Sequence, residues 1–311
     1  MKNVAIIGGN GFIGTNTATE LADHDYSVVI IDKKRCTNKD QRIEYIQIDA
    51  LDYKSLVDSL SYKKFDAVYM FAAISDSKEN HTDIKYAVNT NIMTLTNTLD
   101  AMYELKIPRI IFSSTVWVYS VCDVTEVSED YNLSISNSDH IYTTCKLTCE
   151  AIIRNYQKVK GIDFTILRYG IAYGPGCHPD TVMLKFINNA INNKQLVVTG
   201  DGNIYRNFLY VTDHARGNRL ALSDKAKNQI INLEGPQAIS IKNVAERVEE
   251  LHGGKVEIIY TDERLGDYKG KIVDNSKAKK ILKWEPKVNF LEGSKKLYNY
   301  TLQKNKKNEH D

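Results

Sequence analysis

AIIGGNGFIG, residues 5–14, is the stretch from which the fold of this chain is read most directly. Its first residues are apolar, as in a buried strand, and glycines follow at Gly8, Gly11 and Gly14. In such a stretch the first glycine permits a tight turn, the second lets the backbone approach a phosphate, and the third lets a helix pack closely on the strand. The helix N-terminus then offers free N–H groups to an anion. The stretch predicts a strand, a pyrophosphate-binding turn and a helix.

Short apolar runs alternate with helical patterns through the first half of the chain. The predicted strands are 3–8, 27–32, 43–49, 67–73, 109–115 and 164–170, and the predicted helices are 12–23, 53–60, 83–105, 142–160 and 181–193. Further strands near 195–199, 207–211, 230–233 and 256–260 and helices at 240–253 and 276–286 follow a less regular pattern. Continuous apolar strands that alternate with helices indicate a parallel sheet covered on both faces. We predict an α/β fold, a Rossmann-type doubly wound parallel sheet with a smaller C-terminal α/β lobe.

Composition excludes several classes of protein. The net charge of +2 over 311 residues gives no strong field for nucleic acid, and no apolar run reaches membrane-spanning length. The five cysteines are odd in number and form no CxxC pair, and no cluster of ligands completes a metal site. Free thiols are typical of a reducing cytoplasm. We therefore expect a cytoplasmic protein without a metal, a membrane or nucleic acid as partner.

A carboxylate follows the glycine turn at the end of the second predicted strand. Asp32 in this position accepts hydrogen bonds from an adenosine ribose diol and repels a 2′-phosphate, which favours NAD over NADP. The basic run 33–35 would weaken that repulsion, and an ordinary turn residue is the alternative interpretation of Asp32. At the end of the third strand, Asp49 and the Ala50 N–H are candidates for contacts with the adenine.

Further motifs occur in order along the chain. They are FAA (71–73), NIMTLTNTL (91–99), FSSTVWVY (112–119), YTTCK (142–146), LRYGIAYGPG (167–176), GDGNIYRNFLYVTD (200–213), RLGD (264–267) and DNSKAKKILKWEPK (274–287). With these motifs the chain resembles the extended short-chain dehydrogenase/reductases of the NAD-dependent nucleotide-sugar epimerase/dehydratase family, from about residue 3 to about residue 293. The motifs together are specific to the family, but not to one activity within it.

The resemblance implies a catalytic group. Tyr142 is the implied acid/base, Lys146 its partner, and Thr115 the hydroxyl that bridges the phenol and the sugar. A one-residue slip would place Ser114 in the role of Thr115. The ammonium of Lys146 and a positive nicotinamide ring would both favour the phenolate and lower the pKa of Tyr142. Taken alone, Tyr142 and Lys146 are also compatible with one face of a solvated helix.

The resemblance also implies the binding residues. Asn91 is implied to support the active-site backbone, although a helix N-cap is equally compatible with its position. The cofactor-binding residues expected for NAD are Gly8, Gly11, Phe12, Ile13, Gly14, Asp32, Lys33, Asp49, Ala50, Phe71, Ala72, Ala73, Asn91, Ser113, Tyr142, Lys146 and Tyr169. The substrate-binding residues expected for a nucleotide sugar are Thr115, Tyr142, Arg206, Arg264 and Asp267, because the planar fork of arginine suits phosphate oxygens. One departure is Ile171, where many relatives carry Asn. Lys271 lies near a position that lines the sugar pocket in relatives.

The resemblance also implies where the domains of the chain begin and end, and which reactions the enzyme could catalyse. The expected NAD-binding domain is 1–170 with about 205–235 returning to it, the nucleotide-sugar lobe is 171–204 and 236–300, and 301–311 is a flexible tail.

The shared first step is hydride transfer from C4 of the sugar to NAD. The 4,6-dehydratases carry Asp-Glu after the threonine, whereas Val116 and Trp117 follow here and do no acid/base work. By elimination we expect a 4-epimerase of an NDP-hexose, UDP-sugar favoured, acting in carbohydrate metabolism and polysaccharide biosynthesis.

Other outcomes stay open at this point. A C4 dehydrogenase or ketoreductase would have the same sequence features, a 4,6-dehydratase of the same family is a further alternative, and a non-catalytic dinucleotide-binding regulator is a remote one. The resemblance further implies a homodimer formed through helices 91–105 and 142–158.

Overall fold

A computed structural model describes residues 2–36, 40–75, 82–138, 140–262 and 270–308. Its strands are β1 Asn3–Ile7, β2 Ser27–Asp32, β3 Ile43–Gln47, β4 Ala67–Met70, β5 Arg109–Thr115, β6 Glu126–Val127, β7 Asp163–Tyr169, β8 Ile171–Tyr173, β9 Leu196–Thr199, β10 Tyr205–Tyr210, β11 Gln229–Leu233, β12 Ala238–Ser240, β13 Ile258–Thr261 and β14 Ile272–Val273. Seven of them form one sheet in the order β11-β7-β5-β4-β1-β2-β3, with every neighbouring pair parallel. The predicted parallel α/β sheet is confirmed.

The helices divide between the two faces of this sheet and the C-terminal lobe. They are α1 Phe12–Ala22, α2 Tyr53–Ser61, α3 Ile84–Val88, α4 Thr94–Glu104, α5 Ile141–Lys160, α6 Val182–Ile191, α7 Val211–Leu220, α8 Ile241–Leu251, α9 Ser276–Leu282 and α10 Phe290–Asn308. One core contains Leu56, Leu99 and Ile153 from α2, α4 and α5. The opposite core contains Leu21 of α1 and Leu282 of α9, together with the fully buried Trp284. Helices on both faces explain why the central strands are buried and rich in apolar residues.

Three helical predictions differ from the structure. The helix predicted over 83–105 is interrupted by a π-helical segment, Asn89–Met93, between α3 and α4. The helix predicted to end at Pro286 ends at Leu282, because Lys283 adopts a left-handed conformation with φ of 54°. The tail expected to be flexible from residue 301 continues α10 to Asn308.

The C-terminal lobe has its own small sheets and its own core. β8 pairs with β10 and β10 with β12, and β9 pairs with β13. Phe186 of α6, Val248 of α8 and Leu297 of α10 lie in one apolar cluster. Between these elements the chain returns to the main sheet, because β11 pairs with β7 and Asn218 of α7 donates to Thr17 Oγ1 of α1 at 2.7 Å. The exact residue boundaries of the two lobes stay a prediction.

A search of the described residues finds no helix with the length and apolar character that crossing a membrane requires.

Candidate active site

The glycine turn is shaped by close backbone approach. Gly8 has φ of 78°, and a Cβ there would lie 2.3 Å from Ala72 N. A Cβ at Gly14 would lie 2.6 Å from Gly9 Cα, whereas at Gly11 the nearest atom would be 3.4 Å away. The first and third glycines are therefore required by packing inside the protein. Gly11 faces the open side of the turn, where a ligand would approach.

The N-terminus of α1 is left for an anion. Its N-cap residue is Gly11, which has no side chain that could cap the helix, and no acidic residue lies in the first turn. The first N–H groups of a helix have no acceptor within the helix, so those of Phe12, Ile13 and Gly14 point towards the open side of the turn. These donors, with the positive end of the helix dipole, fit the pyrophosphate of a dinucleotide.

Asp32 is held in place at the carboxyl end of β2. Its Oδ2 accepts from Asn10 N and its Oδ1 from Lys34 N, both at 2.9 Å. Lys33 Nζ donates to Tyr86 OH at 3.0 Å, a bond that raises the pKa of Lys33. Two backbone donors thus orient the carboxylate, and Tyr86 fixes the neighbouring ammonium, while the contact of Asp32 with a ribose stays a prediction.

Hydrogen bonds also fix the segments that follow β3 and β4, while the contacts of Asp49 and Ala50 with an adenine stay predictions. Asp49 Oδ1 accepts from Leu51 N at 3.0 Å, and Asn97 Nδ2 donates to Ala50 O at 3.1 Å. After β4, the N–H groups of Phe71 and Ala72 both donate to the carbonyl of Ile7, at 2.8 and 3.0 Å. The loop that also carries Ala73 therefore lies directly beside the glycine turn.

Asn91 braces this loop from the π-helical segment. Its Oδ1 accepts from Ile74 N at 2.7 Å, and its Nδ2 donates to Ile74 O at 3.2 Å. Because Asn91 lies inside a helical run, the N-cap interpretation is wrong. The geometry is that of a residue that holds the backbone after β4; its part in cofactor binding stays a prediction.

Thr115, Tyr142 and Lys146 are brought together at the carboxyl ends of the central strands. Thr115 ends β5, Tyr142 lies in the first turn of α5, and their hydroxyls are hydrogen-bonded to each other. Lys146 is 3% exposed, and its Nζ donates to Ser113 O at 2.6 Å and lies 5.6 Å from the ring centre of Tyr142. Ser113 Oγ in turn donates to Met70 O at 3.0 Å.

Burial governs the electrostatics of this group. It raises the pKa of Tyr142 above its ordinary value, against the hydrogen bond from Thr115, which lowers it. It lowers the pKa of Lys146 to about 8, with Cys149, Cys145 and Glu150 opposing the shift. The expectation that Lys146 lowers the pKa of Tyr142 is therefore not met by the protein alone. An oxidised nicotinamide ring next to the phenol would add a positive charge and favour the phenolate.

Ser114 does not belong to the catalytic group. Its Oγ donates at 2.5 Å to Glu150 Oε1, and Glu150 forms an ion pair with Arg168 at 2.7 Å. Arg168 also donates to Tyr119 OH at 2.9 Å. Thr115 is thus the hydroxyl beside Tyr142. Sequence reasoning missed the Glu150–Arg168 pair, although an arginine inside the otherwise apolar run FTILRYG was a usable signal.

The side chain of Tyr169 is engaged inside the protein. It is buried, its hydroxyl donates to Asn218 Oδ1 at 2.5 Å, and its ring meets His214 edge-on at 4.7 Å between ring centres. The side chain therefore belongs to the core under α1 and α7, and a cofactor contact of Tyr169 stays a prediction.

A cavity of about 510 Å³ in the smaller lobe is lined by residues of β8, α6, β9 and β10. This volume suits a nucleotide-sized ligand. Arg206 lines the cavity, and one of its terminal nitrogens donates to Tyr205 O at 2.8 Å. Ile171 is also in the lining. Further lining residues that no motif indicated are Val182, Phe186, Asn189, Val197 and Thr199, and Ile204 of the motif 200–213 lines the cavity as well.

Two other expectations concern this side of the site. Arg264 and Asp267 lie outside the described residues, so their roles stay predictions. Lys271 lines a small pocket next to Trp117, but its ammonium is bound by the carbonyls of Cys122 and Val124 at 2.6 and 2.7 Å. Within the described part of the chain, no group of three or more His, Cys, Asp or Glu side chains forms a metal site.

A phosphate-binding turn, an oriented carboxylate and a Tyr–Lys pair all open to one edge of a parallel sheet, and this arrangement defines a dinucleotide-dependent enzyme. The match to a family model narrows the class. The chain belongs to the NAD dependent epimerase/dehydratase family, whose model covers residues 4–233. It is an NAD-dependent enzyme of the extended short-chain dehydrogenase/reductases, and the turn and Asp32 fit that cofactor.

Relatives extend over the whole chain. The chain is similar to a putative UDP-glucose 4-epimerase of Methanocaldococcus jannaschii, with 29% identity over 97% of this chain and 99% of the relative. It is also similar to the crystal structure of UDP-glucuronic acid 4-epimerase from Bacillus cereus with UDP-glucuronic acid and NAD, with a TM-score of 0.87, 29% identity and coverage of 97% and 99%. UDP-glucuronic acid decarboxylase 1 of Xenopus tropicalis is 29% identical over 96% of this chain and 72% of the relative. The relatives thus share the family but not one reaction.

Proposed function

We propose that this enzyme is a nucleotide-sugar 4-epimerase that oxidises C4 of an NDP-hexose transiently, with a UDP-sugar as the favoured substrate. The observation that carries the proposal is the Thr115–Tyr142–Lys146 group together with the two residues after Thr115. Val116 is 4% exposed and Trp117 lines the small pocket, so neither offers an acid or base next to Thr115. A 4-epimerase needs no acid or base beyond this group.

We propose the following roles for these residues. NAD, when bound, supplies a site that accepts a hydride and returns it. Tyr142 takes the proton of the C4 hydroxyl at its phenol oxygen and gives it back when the hydroxyl is restored. Thr115 orients that hydroxyl through its bond to the phenol, and Lys146 provides a buried cation one helical turn away. Epimerisation would result when the 4-keto sugar rotates in the site, so that the hydride is returned to the opposite face of C4.

The nucleotide half of the substrate is assigned to the large cavity. Its volume and its apolar lining by Phe186, Val182 and Ile204 suit a base and a ribose, and Arg206 at its edge suits a diphosphate. Arg264 and Asp267 are proposed to complete the substrate contacts. UDP is favoured because the similar proteins are named for UDP-sugars.

A different reaction within the family is the second candidate. The Xenopus relative is named as a decarboxylase. A decarboxylase or 4,6-dehydratase needs further chemistry after C4 oxidation, and Val116 and Trp117 do not supply it. A C4 dehydrogenase or ketoreductase would use the same three residues and release a keto sugar. A regulator that only binds the dinucleotide would have no use for the Tyr–Lys pair.

We further propose a cytoplasmic homodimer that works in polysaccharide biosynthesis. α4 and α5 lie side by side, joined by the bond from Tyr156 OH to Asp100 Oδ1 at 2.8 Å. They expose Tyr103 and Val159, which are 50% and 76% accessible. A pair of helices with exposed apolar side chains is suited to packing against its own copy in a four-helix bundle. Sedimentation equilibrium would test this, and a monomer at micromolar concentration would contradict it.

Proton NMR of the purified protein with single UDP-sugars tests the reaction. UDP-glucose, UDP-N-acetylglucosamine and UDP-glucuronate are each incubated with the enzyme and NAD, without added reductant. The proposal expects the anomeric signal of a second epimer to grow to equilibrium with no net NADH. A 4-keto product or stoichiometric NADH would replace the epimerase by a dehydrogenase or a dehydratase.

A further inference from the structure

A second, much smaller pocket lies against the catalytic strand end. Val116 and Trp117, the two residues after Thr115, form one wall, and Ile171, Arg206, Asn207, Glu234 and Lys271 are among the others. Its free volume is about 10 Å³, which is the space of a single water-sized group. Arg206 lines this pocket and the large cavity alike. The pocket is therefore placed to receive one substituent of a sugar whose nucleotide occupies the large cavity.

A buried carboxyl group forms part of this pocket. Glu234 is 2% exposed, and its Oε1 accepts from Gly235 N at 3.0 Å. Its carboxyl fills the space over Gly170, since a Cβ on Gly170 would overlap Oε1. Burial raises the pKa of Glu234 to about 8, which favours the protonated carboxyl group, an O–H donor, at neutral pH.

A buried acceptor lies in the same lining. Asn207 belongs to β10, and its Oδ1 is buried without a hydrogen-bond partner among the described residues. An unpaired buried carbonyl oxygen is costly and gains from a donor. The ammonium of Lys271, a cation in the same lining, is already bound by two backbone carbonyls. Glu234, with its buried carboxyl group, and Asn207, with its unpaired amide oxygen, thus both belong to the lining of this pocket.

We propose that Glu234 and Asn207 form a subsite that receives one hydroxyl group of the sugar and makes Glu234 a specificity-determining residue for neutral hexoses. A hydroxyl is both acceptor and donor, so it satisfies the two side chains at once. A carboxylate would place an acceptor oxygen against Asn207, and an N-acetyl group exceeds the volume of the pocket. This subsite rests on the proposed function, because it takes the ligand to be a nucleotide sugar.

A double-mutant cycle, in which each protein variant is combined with each ligand analogue, tests the subsite. The dissociation constants of UDP-glucose and its 2-deoxy, 3-deoxy and 6-deoxy analogues are measured by calorimetry with the NAD-loaded enzyme. The variants are Glu234→Leu, which removes the donor, Glu234→Gln, which keeps one, and the control Asp180→Asn in the wall of the large cavity. Gly170→Ala is a second route to the same effect, because its Cβ displaces the Glu234 carboxyl.

The expected result is coupling between one hydroxyl and Glu234. One deoxy analogue binds the wild type about tenfold more weakly than UDP-glucose, and Glu234→Leu weakens UDP-glucose by a similar factor without weakening that analogue further. Glu234→Gln loses less, Gly170→Ala behaves like Glu234→Leu, and Asp180→Asn changes all four ligands alike. Equal weakening of all four ligands by Glu234→Leu, or none, overturns the subsite.

The outcomes separate this inference from the reaction. Coupling without epimerisation in the NMR assay contradicts the 4-epimerase and leaves the subsite standing. Epimerisation without coupling contradicts the subsite alone. Absence of binding by every UDP-sugar contradicts both.

Discussion

Replacing Glu150 by Gln would leave Arg168 as a buried charge without its partner. The two side chains are 2% and 3% exposed, and Arg168 donates to Glu150 from Nε at 3.0 Å and from a terminal nitrogen at 2.7 Å. The pair joins α5, which carries Tyr142 and Lys146, to β7. Glutamine keeps the shape but removes the charge, and breaking such a buried pair costs about 3–5 kcal/mol.

The expected effect on thermal stability follows from the size of the chain. An unfolding entropy of about 2.1 cal/mol/K per residue gives about 0.65 kcal/mol/K for 311 residues. A loss of about 4 kcal/mol therefore lowers Tm by about 6 °C, measured by calorimetry or circular dichroism. Because the pair positions the catalytic helix, we also expect kcat to fall with KM less affected.

A matched control is the exposed pair of Glu292 and Lys296. Its atoms are also close, at 2.6 Å, but both side chains are 49% exposed. Glu292→Gln should cost less than about 1 kcal/mol, or less than about 2 °C. Replacing Glu150 and Arg168 together by Met should recover most of the loss, because no unpaired charge is left. A Tm for Glu150→Gln no lower than that of Glu292→Gln would refute the reasoning.

Three further predictions concern the active site. Tyr142→Phe should lower kcat by about 10²–10⁴-fold with little change in Tm, since only a proton-transfer group is removed, and a variant of normal activity would contradict its role. Lys146→Met should raise the Tm of the cofactor-free protein at pH 7. Burial lowers the pKa of Lys146 from 10.5 to about 8, so between pH 8 and pH 10.5 the unfolded wild-type chain binds this proton more strongly than the folded chain. The free energy of unfolding of the wild type therefore rises with pH in this range. The Tm difference should therefore shrink as pH approaches 10, and a difference constant with pH would contradict it. Gly11→Ala should weaken NAD binding without lowering Tm, whereas Gly8→Ala should lower both, because only its Cβ meets protein backbone closely. NAD affinity is measured by fluorescence titration. This account of the turn would be contradicted if Gly8→Ala and Gly11→Ala lost the same Tm and if Gly11→Ala bound NAD as tightly as the wild type.

The main sheet was predictable because its signals are local. The apolar runs that became β1, β2 and β5 are continuous, and the glycines between β1 and α1 have a spacing with a direct steric reason. Apolar runs and glycine spacing, which are local patterns, were therefore sufficient to predict both the main sheet and the position of the glycine turn.

The interruption of the helix at Asn89–Met93 was not predictable in the same way. No Gly or Pro marks the segment, and its geometry places the Asn91 side chain on the backbone of Ile74, a contact between parts of the chain that are distant in sequence. Similarly, the pKa of Tyr142 depends on burial, which packing decides and the neighbouring residue Lys146 does not reveal.

The substrate side was the least predictable part. Phe186 and Val182 line the large cavity, yet their spacing on α6 is the spacing of ordinary core residues. Glu234 had no motif to single it out, because its burial arises from the space over Gly170. Cavities form where elements meet, and a sequence pattern reports only one element at a time.

The fate of the hydrogen on C4 tests the central claim most directly. UDP-glucose that carries deuterium at C4 is equilibrated with the enzyme and NAD in ordinary water, and both epimers are examined by proton NMR and mass spectrometry. The account predicts that deuterium stays at C4 in both epimers, because the hydride leaves and returns within one site. Loss of the deuterium to solvent, or no second epimer with any UDP-sugar offered, would contradict a 4-epimerase that works by transient oxidation.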